Sequence, residues 1–221
     1  MTLLVKICGL STPDALDVAL DAGADMVGFI FFPPSPRNVS LETARALESR
    51  VQGRARKVAV TVDADDTLLA SIVETLKPDM LQLHGHETPQ RVAAVRESFG
   101  LPVMKALPIE AKSDLLVIGT YTSAADRLLF DARPPRDATR PGGLGQPFDW
   151  HLLDNLNLSI PFMLSGGLNP DNVSEALRIT RAGGVDVVSG VESAPGVKDP
   201  DKIRAFIRAA RSSHVAGTAV G

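Results

Sequence analysis

Eight short runs of aliphatic and β-branched residues, separated by segments with helical patterning, fill almost the whole chain, and this alternation restricts its fold more than any other feature. The runs begin near Leu3 (LLVKIC), Met26 (MVGFIF), Lys57 (KVAVTV), Met80 (MLQLH), Val103 (VMKAL), Arg127 (RLLFD), Pro161 (PFMLS) and Val185 (VDVVS). Most intervals are in the low twenties, room for one short helix and two loops, which is the signature of βαβ units on a parallel sheet. Eight strands with eight intervening helices in 221 residues predict a single-domain α/β fold, a (β/α)8 TIM barrel over residues 1–212. A doubly wound open sheet takes fewer strands or more chain. Residues 213–221 are small and uncommitted and read as a flexible C-terminal tail.

Capping signals support this division. Thr12-Pro13-Asp14 offers a capping hydroxyl, a first-turn proline and an acid favoured by the helix dipole, predicting a helix over 13–22. Asn169-Pro170-Asp171 and Asp199-Pro200-Asp201 repeat the signal. In the last helix Ile203, Phe206, Ile207 and Ala210 form an i, i+3, i+4, i+7 stripe suited to packing on the outside of a sheet. The segment 112–125 is the least legible.

Charge and cysteine content narrow the function. Lys and Arg total 23 against 26 Asp and Glu, so no global basic field draws nucleic acid or anionic membrane, and an anionic ligand must be held locally. The lone Cys8 has no disulfide partner within the chain, and the N-terminal apolar run is too short for a signal peptide, so a cytoplasmic setting is expected. His86, His151 and His214 show no ligand spacing with acids or with Cys8, and no metal is expected.

In such a barrel the chemistry sits at the C-terminal ends of the strands. Cys8 ends the first strand and shares a face with Lys6, an arrangement that makes sense if that face lines a polar site. A neighbouring ammonium is expected to lower the thiol pKa, although a free cysteine can equally serve as a small buried hydrophobe. Asp131 ends the sixth strand, opposite Cys8 around a closed barrel, where it reads as a catalytic acid or a loop anchor. Gln82 and His84 share a face at the end of the fourth strand, where they are expected to hydrogen-bond a polar substrate, the histidine alternatively anchoring a loop. Arg37 follows a proline-stiffened loop and suits a carboxylate. Asp186, within the eighth strand, and Asp63, ending the third, are weaker candidates for substrate contacts. Three glycine segments, 142–145, 166–167 and 189–190, follow strands six, seven and eight, where backbone N–H groups can cradle a phosphate.

The segments KICGL, FFPPSPR, LQLHG, LLFDA, GGLG with FDW, LSGGLNPDNV and VSGVESAPGVKD, in this order, resemble phosphoribosylanthranilate isomerase of tryptophan biosynthesis from Lys6 to about Arg211. The resemblance implies an aldose–ketose isomerase that carries out an Amadori rearrangement, with Cys8 as general base and Asp131 as general acid. It also implies Arg37 on the anthranilate carboxylate, and phosphate held by Gly143, Gly145, Gly166, Gly167, Ser189 and Gly190. The substrate's own iminium nitrogen serves as electron sink, so no cofactor is implied, and the protein is expected as a monomer or homodimer. Leu144 and Gln146-Pro147 stand where the family commonly has a hydroxyl and Lys-Thr, and Val188-Ser189 replaces paired serines, which leaves more of the phosphate to backbone amides.

Two other readings compete. A related isomerase of histidine synthesis keeps the phosphate loops but uses two aspartates, and Cys8 argues against it. A non-catalytic sugar-phosphate sensor would need neither Cys8 nor Asp131.

Overall fold

The computed structural model describes residues 2–135, 138, 141–143, 147–154 and 156–218, and of 214–218 the backbone only. Eight parallel strands close into a barrel in chain order, each paired with its sequence neighbours and β1 with β8. They are β1 Leu4–Cys8, β2 Met26–Phe31, β3 Arg56–Thr61, β4 Met80–Leu83, β5 Val103–Ile109, β6 Arg127–Ala132, β7 Phe162–Leu164 and β8 Gly184–Val187. A small antiparallel pair, β9 Glu192–Ala194 and β10 Val197–Lys198, follows β8.

Residue alternation along the strands builds two cores. The inward faces contribute Met26, Val58, Val60, Met80, Met104, Ala106, Leu129 and Met163, with Cys8 at the upper rim. Four methionines fit this irregular, tapering space because an unbranched thioether adapts its shape. The outward faces, with residues such as Val5, Ile7, Phe29 and Phe130, pack under the helices.

The helices are α1 Pro13–Asp21, α2 Leu41–Val51, α3 Asp66–Leu76, α4 Pro89–Phe99, α5 Ile118–Tyr121, α6 Val173–Thr180 and α7 Pro200–Thr218. Thr12 caps α1 as expected, its hydroxyl accepting from the Ala15 N–H at 3.4 Å. In α7 Ile203, Phe206, Ile207 and Ala210 are all buried. Each of the three larger side chains contributes roughly 1.5–3 kcal/mol by leaving water.

Three local expectations are corrected. Between β6 and β7 the described residues form only a 3-10 turn, Trp150–Leu153, in place of an eighth helix; the prolines and glycines at 134–135, 141–143 and 147 do not sustain one. α6 starts at Val173, because the Asn169 side chain accepts from the N–H groups of Asp171 and Asn172 and forms a turn first. The helix α7 runs on to Thr218 through the segment read as a tail. No proline interrupts it, Ser213 Oγ donates to the Ala209 carbonyl, and Arg211 is tied to Asp25 at the base of the barrel.

No helix among the described residues is long and apolar enough to cross a membrane.

Candidate active site

The strand ends bring Cys8, Arg37, Gln82, His84, Asp131 and Asp186 to one cleft of about 460 Å³. It adjoins a second hollow of about 430 Å³ lined by Gly143, Gly166, Gly167 and Ser189, with Asp131 and Asp186 on the boundary of both. The cleft that holds the thiol and the carboxyl therefore opens directly onto the glycine loops.

On the floor, Lys6 is fully buried and its Nζ donates to Asp186 Oδ1 at 2.9 Å. Ser165 Oγ approaches the other oxygen at 3.5 Å. Burial works against the Lys6 charge, but Asp186 and Cys8 outweigh it and hold the ammonium above its ordinary value. For Cys8 the balance differs from the sequence expectation. Burial pushes the thiol up, Lys6 pulls it down without offsetting that, and Asp186 pushes it up again, so the net shift is upward. Gly28 on β2 leaves room for both groups: a Cβ there would lie 2.7 Å from Cys8 Sγ and 3.1 Å from Lys6 Nζ.

Across the cleft, Asp131 Oδ1 accepts from the Ala132 N–H at 2.9 Å and Oδ2 meets His84 Nε2 at 3.1 Å. Gln82 Nε2 reaches His84 Nδ1 at 3.1 Å. Asp63, the weaker candidate, accepts from the His86 N–H and anchors the loop instead.

Arg37 enters by another route than a free surface arginine. Its Nε and Nη2 donate to the two oxygens of Glu192 at 2.8 Å each, and Nη2 also to the Gly143 carbonyl at 3.3 Å. Lys198 adds a second cation to Glu192 at 2.9 Å. Burial raises the Glu192 carboxyl, but Arg37 and Lys198 prevail and hold it below the usual range. One edge of the guanidinium is thus committed, and Nη1 has no hydrogen-bond partner among the described residues.

In the glycine loops, Gly166 has φ +83°, and a Cβ there would lie 2.4 Å from the Ala132 nitrogen, so only glycine brings these loops together. Gly143, Gly167, Ser189 and Gly190 belong to the described loops; Gly145, with Leu144 and Gln146, lies outside the described residues. The site roles of Glu192, Lys198 and Gly28 were missed from sequence, and Gly142 was read only as part of the glycine segment 142–145. The Glu192 and Lys198 signal was present, two charges flanking a Pro-Gly turn after β8. Among the described residues no group of three or more His, Cys, Asp and Glu side chains is arranged to hold a metal.

The profile of the N-(5'-phosphoribosyl)anthranilate isomerase family matches residues 5–209. The chain belongs to this family. It is therefore an enzyme, an isomerase of tryptophan biosynthesis. The family's member from Bradyrhizobium diazoefficiens is 66% identical over 213 residues, 96% of each chain. The Rhodopseudomonas palustris BisB5 member is 64% identical, over 96% of this chain and 98% of its own. The Thermotoga maritima phosphoribosylanthranilate isomerase crystal structure superposes with a TM-score of 0.87 at 33% identity, covering 96% of this chain and all of that one. A second family structure, in complex with reduced 1-(o-carboxyphenylamino)-1-deoxyribulose 5-phosphate, has a TM-score of 0.82 at 31% identity, covering 96% and 100%.

Proposed function

We propose that the chain converts N-(5-phosphoribosyl)anthranilate into 1-(2-carboxyphenylamino)-1-deoxyribulose 5-phosphate by an Amadori rearrangement under general acid/base catalysis. The observation that carries this is the presence of one thiol and one carboxyl, Cys8 and Asp131, in a single cleft that opens onto the glycine loops. Asp131 gives its proton to the furanose ring oxygen, the C1–O bond breaks, and the nitrogen lone pair forms an iminium ion. Cys8, as thiolate, takes the C2 proton; the C–H electrons form the enolamine C=C bond and neutralise the nitrogen. Protonation at C1 and loss of the C2 hydroxyl proton then give the ketone.

The upward shift of the Cys8 thiol fits this order. A buried thiol stays protonated while the site is empty, and a cationic iminium beside it adds to the pull of Lys6 toward the thiolate. Backbone amides of Gly143, Gly145, Gly166, Gly167, Ser189 and Gly190 hold the phosphate, Arg37 the anthranilate carboxylate through its remaining Nη1, and Asp186 a sugar hydroxyl. The reaction needs no cofactor. The family structure holding a reduced product-like compound supports the substrate assignment.

The test is conversion in deuterium oxide. The expected product is the ketose, carrying solvent deuterium at C1, with a change in anthranilate fluorescence. Substrate that is bound but unchanged in mass and fluorescence contradicts the reading.

A further inference from the structure

The tautomer of His84 has a structural cause in the residues around it. Gln82 is 1% exposed and its Nε2 faces His84 Nδ1 at 3.1 Å, while its Oε1 has no hydrogen-bond partner among the described residues. An amide NH₂ can only donate, so Nδ1 must be the lone-pair nitrogen, and in a neutral imidazole the proton then belongs to Nε2. Nε2 is the atom 3.1 Å from Asp131 Oδ2. Two acceptors would repel at that distance; an N–H and a carboxyl oxygen attract.

The backbone on both sides of His84 is clamped as well. Lys105, 2% exposed, donates from Nζ to the carbonyls of Leu83 at 3.3 Å and Gly85 at 2.7 Å, and to Glu87 Oε2 at 2.8 Å. All three ammonium protons are used. From above, Gly142 closes on the pair: a Cβ there would lie 2.6 Å from Asp131 Oδ2 and 3.2 Å from His84 Nε2. These contacts leave His84 one direction in which to donate.

We infer that Gln82 and His84 are positioning residues for the acid and not substrate ligands: Gln82 fixes His84 as the Nε2–H tautomer, and that N–H aims the Asp131 carboxyl into the cleft. Lys105 and Glu87 hold the loop on which the relay stands. The catalytic consequence rests on the acid role proposed above for Asp131, whereas the tautomer does not.

The experiment uses the full chain, uniformly labelled with ¹⁵N, and long-range ¹H–¹⁵N correlation of histidine rings at about pH 8, where imidazole is mostly neutral. His84→Asn assigns the His84 signals by their loss. The wild-type spectrum should show the Nε2–H form. Gln82→Glu replaces the donor by an acceptor of the same shape and should turn His84 to the Nδ1–H form. It should also lower kcat about ten- to hundred-fold, the cost of a misaimed catalytic group, with KM changed less than about threefold. Gln82→Met, which neither donates nor accepts a strong hydrogen bond, should give a mixture of tautomers and an intermediate kcat. An Nδ1–H tautomer in the wild type overturns the inference whether or not the isomerase reading holds. So does a Gln82→Glu protein with unaltered tautomer, or one that loses affinity with kcat intact.

Discussion

Arg37 reaches the mouth of the barrel with two N–H groups already given to the carboxylate of Glu192, both at 2.8 Å. The pair is almost completely buried, and Lys198 shares the same carboxylate. Removing the acid strands two buried cations, and breaking such a buried pair from one side costs about 3–5 kcal/mol. Glu192→Ala should therefore lower unfolding free energy by about that amount in a urea titration, whereas Arg37→Ala, which leaves Lys198 to balance Glu192, should cost less stability and mainly raise KM. Equal destabilisation by both would contradict this division.

Lys6 and Asp186 form the other buried pair, at 2.9 Å. The Lys6 ammonium is held above its ordinary value, so its stabilising contribution is complete below about pH 10, the unfolded value, and is lost as pH rises through the higher folded value. Lys6→Met should abolish that alkaline limb of the stability curve and, by leaving Asp186 unpaired, destabilise the barrel at neutral pH. Added Asp186→Leu should recover part of the loss. Denaturant melts at neutral and alkaline pH check both statements.

The raised Cys8 thiol sets the direction of the pH dependence of activity. A base that must be thiolate loses function as pH falls through its pKa, so kcat/KM, which reports the free enzyme, should still be rising above the ordinary thiol range. Lys6→Met should move this limb further up. A limb lying below the ordinary thiol range would contradict the burial of Cys8 as the dominant cause.

Gly166, at φ +83° and in contact with Ala132, joins two of the loops assigned to the phosphate. Gly166→Ala should raise KM for the phosphorylated substrate and weaken inhibition by inorganic phosphate in parallel. A change in kcat alone would place these loops outside phosphate binding.

Much of the fold is legible from the chain because strand periodicity, caps and the α7 stripe all report the same local geometry. The strand ends then locate Cys8, Asp131, Gln82 and His84, since in a parallel barrel every such end faces one mouth. What stays hidden depends on contacts remote in sequence. Arg37 and Glu192 lie 155 positions apart, and nothing local in either segment announces the pairing. The direction of the Cys8 shift is hidden for a related reason: the nearby Lys6 is visible in the motif, while full burial is a property of the closed barrel. Among the described residues after β6 no α-helix forms, in a segment whose prolines and glycines follow the needs of the mouth instead of those of a helix.

Single-turnover fluorescence with excess enzyme over N-(5-phosphoribosyl)anthranilate addresses the acid/base pair most directly. Wild-type protein should convert the bound substrate, and Asp131→Asn and Cys8→Ser should each bind it yet rearrange it about 10²- to 10⁴-fold more slowly, the usual contribution of a proton-transfer group. Near-normal rearrangement in either variant would contradict the assignment of acid to Asp131 or of base to Cys8.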